Sequence, residues 1–272
     1  MLSVLLSVYY KEKPSYLRIA LESIFNQSYL PSEVIIVKDG PLSTELNEIL
    51  DDYSNKYEII KLINIATNQG LSNALNIGLS KCSFELVARM DTDDICSLNR
   101  FEKQINFLNN NPSVDLVGSF ATKIDEKGNI INIMKVPLED KKIKYLIWTC
   151  PFIHPTVMFR KSKLLSVGGY NPNSGLRQDD YELWFRCAYG GLIFANIPES
   201  LYKYRFFSDS IKKNNIKVGW LRFKVGLKGC IKLHCTAIAY IGILVPLFRS
   251  LLPFPLNMYL YKLLDKLNPR NK

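Results

Sequence analysis

An α/β fold, with a single mixed sheet flanked by helices and a basic helical C-terminal extension, is the architecture predicted by this sequence of 272 residues. Three observations predict it. Short apolar runs alternate with amphipathic helical stretches through the first half, an order that produces parallel strands joined by right-handed crossovers. Polar residues recur where those runs end, which places them on one rim of one sheet. Basic residues are concentrated in the last segment, where lysines repeat at helical spacing.

Leu2 to Tyr9 is a buried strand, and the apolar start lacks the basic leader and cleavage site of a signal peptide. Lys11-Glu12-Lys13-Pro14 leads into a helix from about Ser15, with Leu17, Ala20, Leu21, Ile24 and Phe25 spaced for one apolar face. Glu33 to Val37 forms the second strand, and Lys38-Asp39-Gly40-Pro41 forces a turn at its end. A helix over about Ser43 to Tyr53, a strand over Glu58 to Ile63 and a helix over about Leu71 to Leu79 continue the alternation. The fourth strand, Phe84 to Met90, stops abruptly on acids. Beyond Asn111-Pro112 the pattern loosens. Val114 to Phe120 is a strand, and Thr122 to Val136 a hairpin turning at Asp125-Glu126-Lys127-Gly128. An apolar stretch over Phe152 to Phe159 has the polar His154 near its start, and a further helix begins at Asp179-Asp180, with Leu183 and Trp184 opening its apolar face.

The acids after the fourth strand are the chemical centre of the sequence. Asp91, Asp93 and Asp94 repel one another unless a cation or a set of donors balances them. In extended backbone Asp91 and Asp93 project to one side, so both reach one hard, oxygen-liganded divalent ion, Mg²⁺ or Mn²⁺. A solvated acidic turn capping a helix from near Leu98 accounts for the same residues without a ligand. A calcium loop of the helix-loop-helix type fails at Ile95 and Cys96. An aspartate-nucleophile phosphohydrolase is a rival, because a second acidic pair, Asp179-Asp180, lies downstream. That pair is equally consistent with Asp179 as helix N-cap and Asp180 as partner of the helix dipole.

Other polar residues end the earlier strands: Tyr9, Tyr10 and Glu12 after the first, Asp39 after the second, Asn68 to Asn73 after the third. Ligands bind at this rim in open α/β sheets. No Gly-x-Gly-x-x-Gly comes after the first strand, which excludes the dinucleotide-binding variety. The six cysteines show neither Cys-x-x-Cys spacing nor clustering with the two histidines, which argues against a zinc site and a disulfide framework.

Together these strings resemble glycosyltransferase family 2, inverting nucleotide-sugar enzymes with the GT-A fold. The resemblance covers roughly residues 2 to 205. It is carried by Ser7-Val8-Tyr9-Tyr10, Val37-Lys38-Asp39-Gly40, Asn68-Gln69-Gly70-Leu71 with Ala74-Leu75-Asn76-Ile77-Gly78, Arg89-Met90-Asp91-Thr92-Asp93-Asp94, His154-Pro155-Thr156-Val157-Met158-Phe159-Arg160, Gly168-Gly169-Tyr170 and Asp179-Asp180-Tyr181-Glu182-Leu183-Trp184. The phosphohydrolase reading explains only two of these.

The resemblance implies a UDP-sugar donor whose uracil is bonded by Asp39, with Tyr9, Tyr10 and Glu12 near base and ribose, and Asn68, Gly70, Asn73 and Thr92 on the same donor side. It implies Asp91 and Asp93 in the metal motif, Asp91 contacting the ribose or sugar and Asp93 the metal-diphosphate, with Asp94 as an added acid in a metal set of Asp91, Asp93 and Asp94, and Mn²⁺ or Mg²⁺ as cofactor. Asp180 matches the general base, but Asp179 stands where Glu is more usual, which leaves open which of the two acts. His154 and Trp184 fall on the acceptor side. Bacterial O-antigen and capsule enzymes are the nearest members in character. They imply a polyprenyl-diphosphate-linked acceptor, extended by galactose or glucose through a β-1,3 linkage. A noncatalytic sugar-nucleotide-binding role is the other alternative.

The expected organisation is a catalytic domain over 1–210, with a nucleotide-sugar half (1–111) and an acceptor half (112–210), and a tail over 211–272. The tail holds twelve Lys or Arg against one acid, Asp265, whereas the first 210 residues carry 23 basic and 24 acidic side chains. In one helix from Lys213 to Lys232, Lys213, Lys217, Lys224, Lys228 and Lys232 share an arc of about 100°, with Arg222 breaking the pattern. Thr236 to Phe248 is uncharged but short of the roughly 20 apolar residues a spanning helix needs, and Pro246, Pro253 and Pro255 are expected to interrupt this part of the chain. Interleaved Leu, Ile and Phe suit an anionic membrane surface better than nucleic acid. The expectation is a peripheral protein on the cytoplasmic face of the bacterial inner membrane, against the alternative of a helical cap with solvated lysines.

Overall fold

The computed structural model describes residues 1–207 and 215–253, and from the remainder residues 256, 257, 259, 260, 263, 264 and 269. The described strands form one sheet in the order β3-β2-β1-β4-β8-β6-β9-β5, with β7 paired to β6. Its first half is parallel: β1 (Leu2–Val8), β2 (Glu33–Asp39), β3 (Ile60–Ile65) and β4 (Leu86–Arg89). They alternate with α1 (Pro14–Phe25), α2 (Thr44–Lys56) and α3 (Leu71–Lys81). The third strand begins later than its sequence suggests because Glu58 and Ile59 form a turn.

The second half is where the sheet becomes mixed. β8 (Met158–Arg160) lies antiparallel to β4, and β6 (Leu116–Ile124) antiparallel to β8. β9 (Phe194–Arg205) is parallel to β6, and β7 (Ile130–Met134) closes the expected hairpin with it. β5 (Ile95–Cys96) pairs antiparallel with β9, so the chain leaving the acids enters a short strand and not a helix. α4 (Arg100–Asn110) starts only afterwards, behind Asn99, and the acids do not cap it. In the Phe152 to Phe159 stretch only the end is strand; His154–Thr156 forms a 3₁₀ turn around Pro155, which has no N–H to give a ladder.

Strand alternation builds the two faces of the core. Leu2, Val4, Leu6 and Val8 of β1 pack with α1, α2 and α4, whereas Leu5, with Ile35 and Val37 of β2, packs towards α3. The second face also holds α5 (Asp140–Tyr145), α6 (Lys161–Ser166) and α7 (Asp179–Tyr189), whose Leu183 and Trp184 are fully buried.

The two described helices of the basic tail fold onto that face. α8 (Ile216–Lys232) packs against α7 and against α9 (Ala237–Ser250). The approach is close: a Cβ added at Gly226 would lie 2.8 Å from the Tyr181 hydroxyl and 2.9 Å from Ile243 Cγ2. Lys217, Lys224, Lys228 and Lys232 are exposed on α8, while Lys213 lies outside the described residues. Pro246 does not interrupt the second apolar segment but sits inside α9, at the cost of one helical N–H donor. Of the other two prolines, Pro253 comes after the end of α9 and Pro255 lies outside the described residues. Among the described residues no helix is long and apolar enough to cross a membrane.

Candidate active site

The carboxyl end of β4 passes into a turn at Thr92 and Asp93, and the extended geometry expected there is not formed. The turn brings a third acid in: ligand oxygens of Asp91, Asp93 and Asp94 lie within 4.8 Å of one another. Each acid is held differently. Asp91 pairs with the buried guanidinium of Arg89, and its N–H donates to the Tyr202 hydroxyl at 3.2 Å. Asp94 is buried, with Oδ1 accepting the Arg205 N–H at 2.6 Å. The Asp93 carbonyl accepts Arg205 Nε at 2.8 Å. The second half of the sheet therefore grips the acidic turn through β9.

Burial and mutual repulsion raise these groups. Burial, then the charge of Asp91, pushes Asp93 above the usual carboxylate range, and burial with Asp93 and Asp91 lifts Asp94 well above it. Glu12, in the loop after β1, is raised to about 7 by burial and by Asp93, against a hydrogen bond with Thr92 that lowers it. Such a set is stabilised by a cation. The residues fit a divalent one: the donors are all carboxylate oxygens, and the buried Asp94 Oδ2 has no hydrogen-bond partner among the described residues.

The donor-side residues named from sequence lie on the neighbouring strand ends. Tyr9 and Tyr10 are exposed with rings edge to face, centroids 5.8 Å apart. Asp39 is buried, and its two oxygens accept the N–H groups of Gln69 (2.7 Å) and Gly70 (3.0 Å), so it organises the next loop. Gly70 adopts φ +87°, a conformation that favours glycine and that turns its N–H onto Asp39. Asn68 Nδ2 donates to the Asp39 carbonyl at 3.0 Å, and Asn73 Nδ2 to the Gln69 carbonyl at 3.0 Å.

Across from the acids stands the start of α7. Asp179 is its first residue, behind Gln178, and does not act as the cap; its Oδ1 accepts the hydroxyl of Ser72 from α3. Asp180 accepts the Tyr181 N–H at 2.7 Å on Oδ1 and the Cys150 thiol at 3.5 Å on Oδ2. Burial raises the Asp180 carboxyl, and the nearby Arg222 charge opposes that rise. Arg222 comes from α8 and lies over the Tyr181 ring, 4.1 Å from its centroid. His154 Nε2 meets the Tyr170 hydroxyl at 3.0 Å and is held neutral, its pKa pushed well below normal by burial and then by Arg89. Trp184 has no exposed surface. It packs against Phe152 and His154, so it supports the wall of the site without presenting a face to a ligand.

One cavity of about 730 Å³ reaches from Asp91 of the acidic turn to His154, Asp179, Asp180 and Arg222; the donor-rim residues Tyr9, Tyr10, Glu12 and Asp39 are not part of its lining. Sequence reading did not single out Ser72, Cys150 or Arg205. Ser72 lies inside the rim string Asn68 to Asn73, whereas nothing in the local strings of Cys150 and Arg205 marks them. Arg222 did leave a signal, as the charge that broke the lysine arc.

A family model described as Glycosyl transferase family 2 matches residues 3–168. The chain is 37% identical over 269 residues to the amylovoran biosynthesis glycosyltransferase AmsE of Erwinia amylovora, covering 96% of this chain and 98% of that one. It is 35% identical over 267 residues to the UDP-Gal:α-D-GlcNAc-diphosphoundecaprenol β-1,3-galactosyltransferase of Escherichia coli, covering 96% and 94% respectively. Among solved structures, it is similar in fold to the mannosyltransferase PcManGT of Pyrobaculum calidifontis in complex with GDP-Man and Mn²⁺, with TM-score 0.64, 16% identity, and coverage of 96% of this chain and 78% of that one.

Proposed function

The chain belongs to glycosyltransferase family 2 and has the GT-A fold, and from that premise we propose that it transfers a hexose, galactose or glucose, from a UDP-sugar to a polyprenyl-diphosphate-linked N-acetylhexosamine. The product is a β-1,3 linkage in a bacterial surface polysaccharide, O-antigen or capsule. The observation that carries this reading is that Asp91 of the acidic cluster and the Asp179-Asp180 pair line the same cavity. The relative from Escherichia coli, whose name states such a donor and acceptor, supports the choice of substrates.

In this reading Tyr9, Tyr10, Glu12 and Asp39 hold the nucleoside, with Asn68, Gly70, Asn73 and Thr92 completing the rim. Asp91, Asp93 and Asp94 would hold Mn²⁺ or Mg²⁺, which supplies charge stabilisation to the departing diphosphate. Asp180 takes the proton of the acceptor hydroxyl as its oxygen bonds to the anomeric carbon and the bond from that carbon to the donor phosphate breaks. UDP leaves with the electron pair, and one displacement inverts the centre. Asp180 is favoured over Asp179 because its raised pKa moves it towards operating pH, while Asp179 is engaged by Ser72.

The tail serves the same end. We read α9 as lying on the cytoplasmic membrane surface as a peripheral attachment, because Ile238, Ile241 and Phe248 repeat along one side of it and are each more than half exposed, at 56%, 67% and 60%. The exposed lysines of α8 favour an anionic surface. The test is transfer by the purified chain from a panel of UDP-sugars to N-acetylglucosamine and N-acetylgalactosamine linked through diphosphate to a short polyprenyl chain. A UDP-hexose should give a β-linked disaccharide and UDP. Release of inorganic phosphate without acceptor would instead indicate a phosphohydrolase.

A further inference from the structure

The cavity does not end at the base. It continues between the two tail helices, where Val218 and Arg222 of α8 face Gly242, Val245, Pro246 and Arg249 of α9. The spacing makes this a continuous surface: Val218 and Arg222 are one turn apart, and Gly242, Val245, Pro246 and Arg249 fall on one stripe of a helix. Two guanidinium groups thus stand beside Val218, Val245 and Pro246 in this part of the cavity, whose lining also includes Ser250, Lys123 and Arg177 and whose other end holds Asp91 and the proposed base.

We propose that this part of the cavity binds the diphosphate and the first isoprenoid units of a lipid-linked acceptor, an inference that rests on the acceptor class read above. The chemistry of the wall selects the ligand. A planar guanidinium donates two parallel N–H bonds to phosphate oxygens, and two arginines match the charge of a diphosphate. Val218, Val245 and Pro246 offer branched and ring carbons to a chain that has no polar groups of its own. The two halves of the ligand are separated by a few bonds, as the arginines and the apolar residues are separated by a turn of helix.

The channel also has an exit. Val245 lines the cavity and is itself 37% exposed, flanked along α9 by the outward Ile241 and Phe248. The cavity wall and the exposed apolar stripe meet at that residue. A chain leaving the arginines along α9 therefore passes onto the surface read as membrane-facing without crossing open water. Arg222 has a second consequence here, since it stands over Tyr181, next to the base. The same side chain touches the acceptor's phosphate and tunes the field at Asp180.

The experiment is a titration of the full-length chain with farnesyl diphosphate, the donor site being saturated with UDP and Mg²⁺ throughout. Wild-type protein should bind farnesyl diphosphate and bind farnesol at least tenfold more weakly. Arg249→Ala and Arg222→Ala should each weaken farnesyl diphosphate at least tenfold, Arg249→Lys less, with UDP affinity on the same proteins within twofold of wild type. Arg249 is only partly buried, so Arg249→Ala and Arg249→Glu keep the test available should Arg222→Ala fold poorly. Absence of farnesyl diphosphate binding to wild type, or equal binding by the arginine variants, overturns the subsite. Arginine-dependent binding without transfer to any sugar-diphosphate-lipid would uphold the subsite and sink the acceptor reading. Transfer whose KM is unmoved by Arg249→Ala would uphold the acceptor reading and sink the subsite.

Discussion

Asp180 owes its raised pKa to a wall built by residues far from it in sequence, and this makes its ionisation measurable. Only the carboxylate accepts a proton, so kcat should fall as pH drops through the raised pKa, at a pH above that of an ordinary aspartate. Arg222→Gln removes a charge that favours the carboxylate, so the acid limb of the kcat profile should move to higher pH. Asp180→Asn should lower kcat by roughly 10²–10⁴-fold with donor affinity little changed; that signature from Asp179→Asn alone would reverse the assignment. Glu12 offers a second pH test. Its folded pKa is raised from 4.5 to about 7, so between those values the folded chain holds a proton that the unfolded chain has lost. Metal-free stability should therefore decrease as pH rises through that window. Metal binding requires the cluster to be ionised, so added Mg²⁺ should raise the Tm more at pH 8 than at pH 5.5, and equal shifts at both would remove the metal from this site. Asp93→Ala should abolish both the Mg²⁺ shift and transfer.

At the scale of elements, α8 is the piece whose role changed most between sequence and structure. Its described lysines, Lys217, Lys224, Lys228 and Lys232, are exposed as the helical spacing requires, yet the opposite side is not a free apolar face. It carries Gly226 and Gly229 against Tyr181 and Phe185 of α7, where added Cβ atoms would come within 2.8 Å and 2.3 Å. Gly226→Leu should overpack this junction by about 1–3 kcal/mol, a loss of a few degrees in Tm by calorimetry. It should also slow transfer, since α8 carries Arg222. An unchanged Tm would mean that α8 is not docked on α7 in solution. Deleting the tail is accordingly a poor test of membrane attachment, because it strips one wall from the cavity.

For the whole molecule, the division of charge becomes a division between body and tail. The catalytic body is nearly neutral, while α8 carries exposed lysines and α9 an outward apolar stripe. Binding to anionic vesicles should weaken with salt, each surface lysine contributing about 1 kcal/mol near the membrane. The pair Ile241→Glu and Phe248→Glu should reduce binding to those vesicles with UDP affinity maintained. Vesicle binding indifferent to both salt and this pair would leave α9 without the role given to it.

The sequence by itself determined the alternation of strand and helix, the rim on which the acids sit, and the family, because periodicity and strand-end motifs are local and survive without tertiary contacts. It did not determine that β8 and β6 would run antiparallel, that a turn at Thr92-Asp93 would draw Asp94 to the other two acids, or that Pro246 would lie inside a helix. It matched Asp180 to the general base by resemblance but gave no contact that separates it from Asp179. The folded molecule gives the two acids different surroundings: Ser72 from α3 donates to Asp179, whereas Cys150, from the loop before His154, and Arg222 from α8 act on Asp180. Burial, charge proximity and donor geometry depend on which distant segments meet, and no spacing along one segment records that meeting.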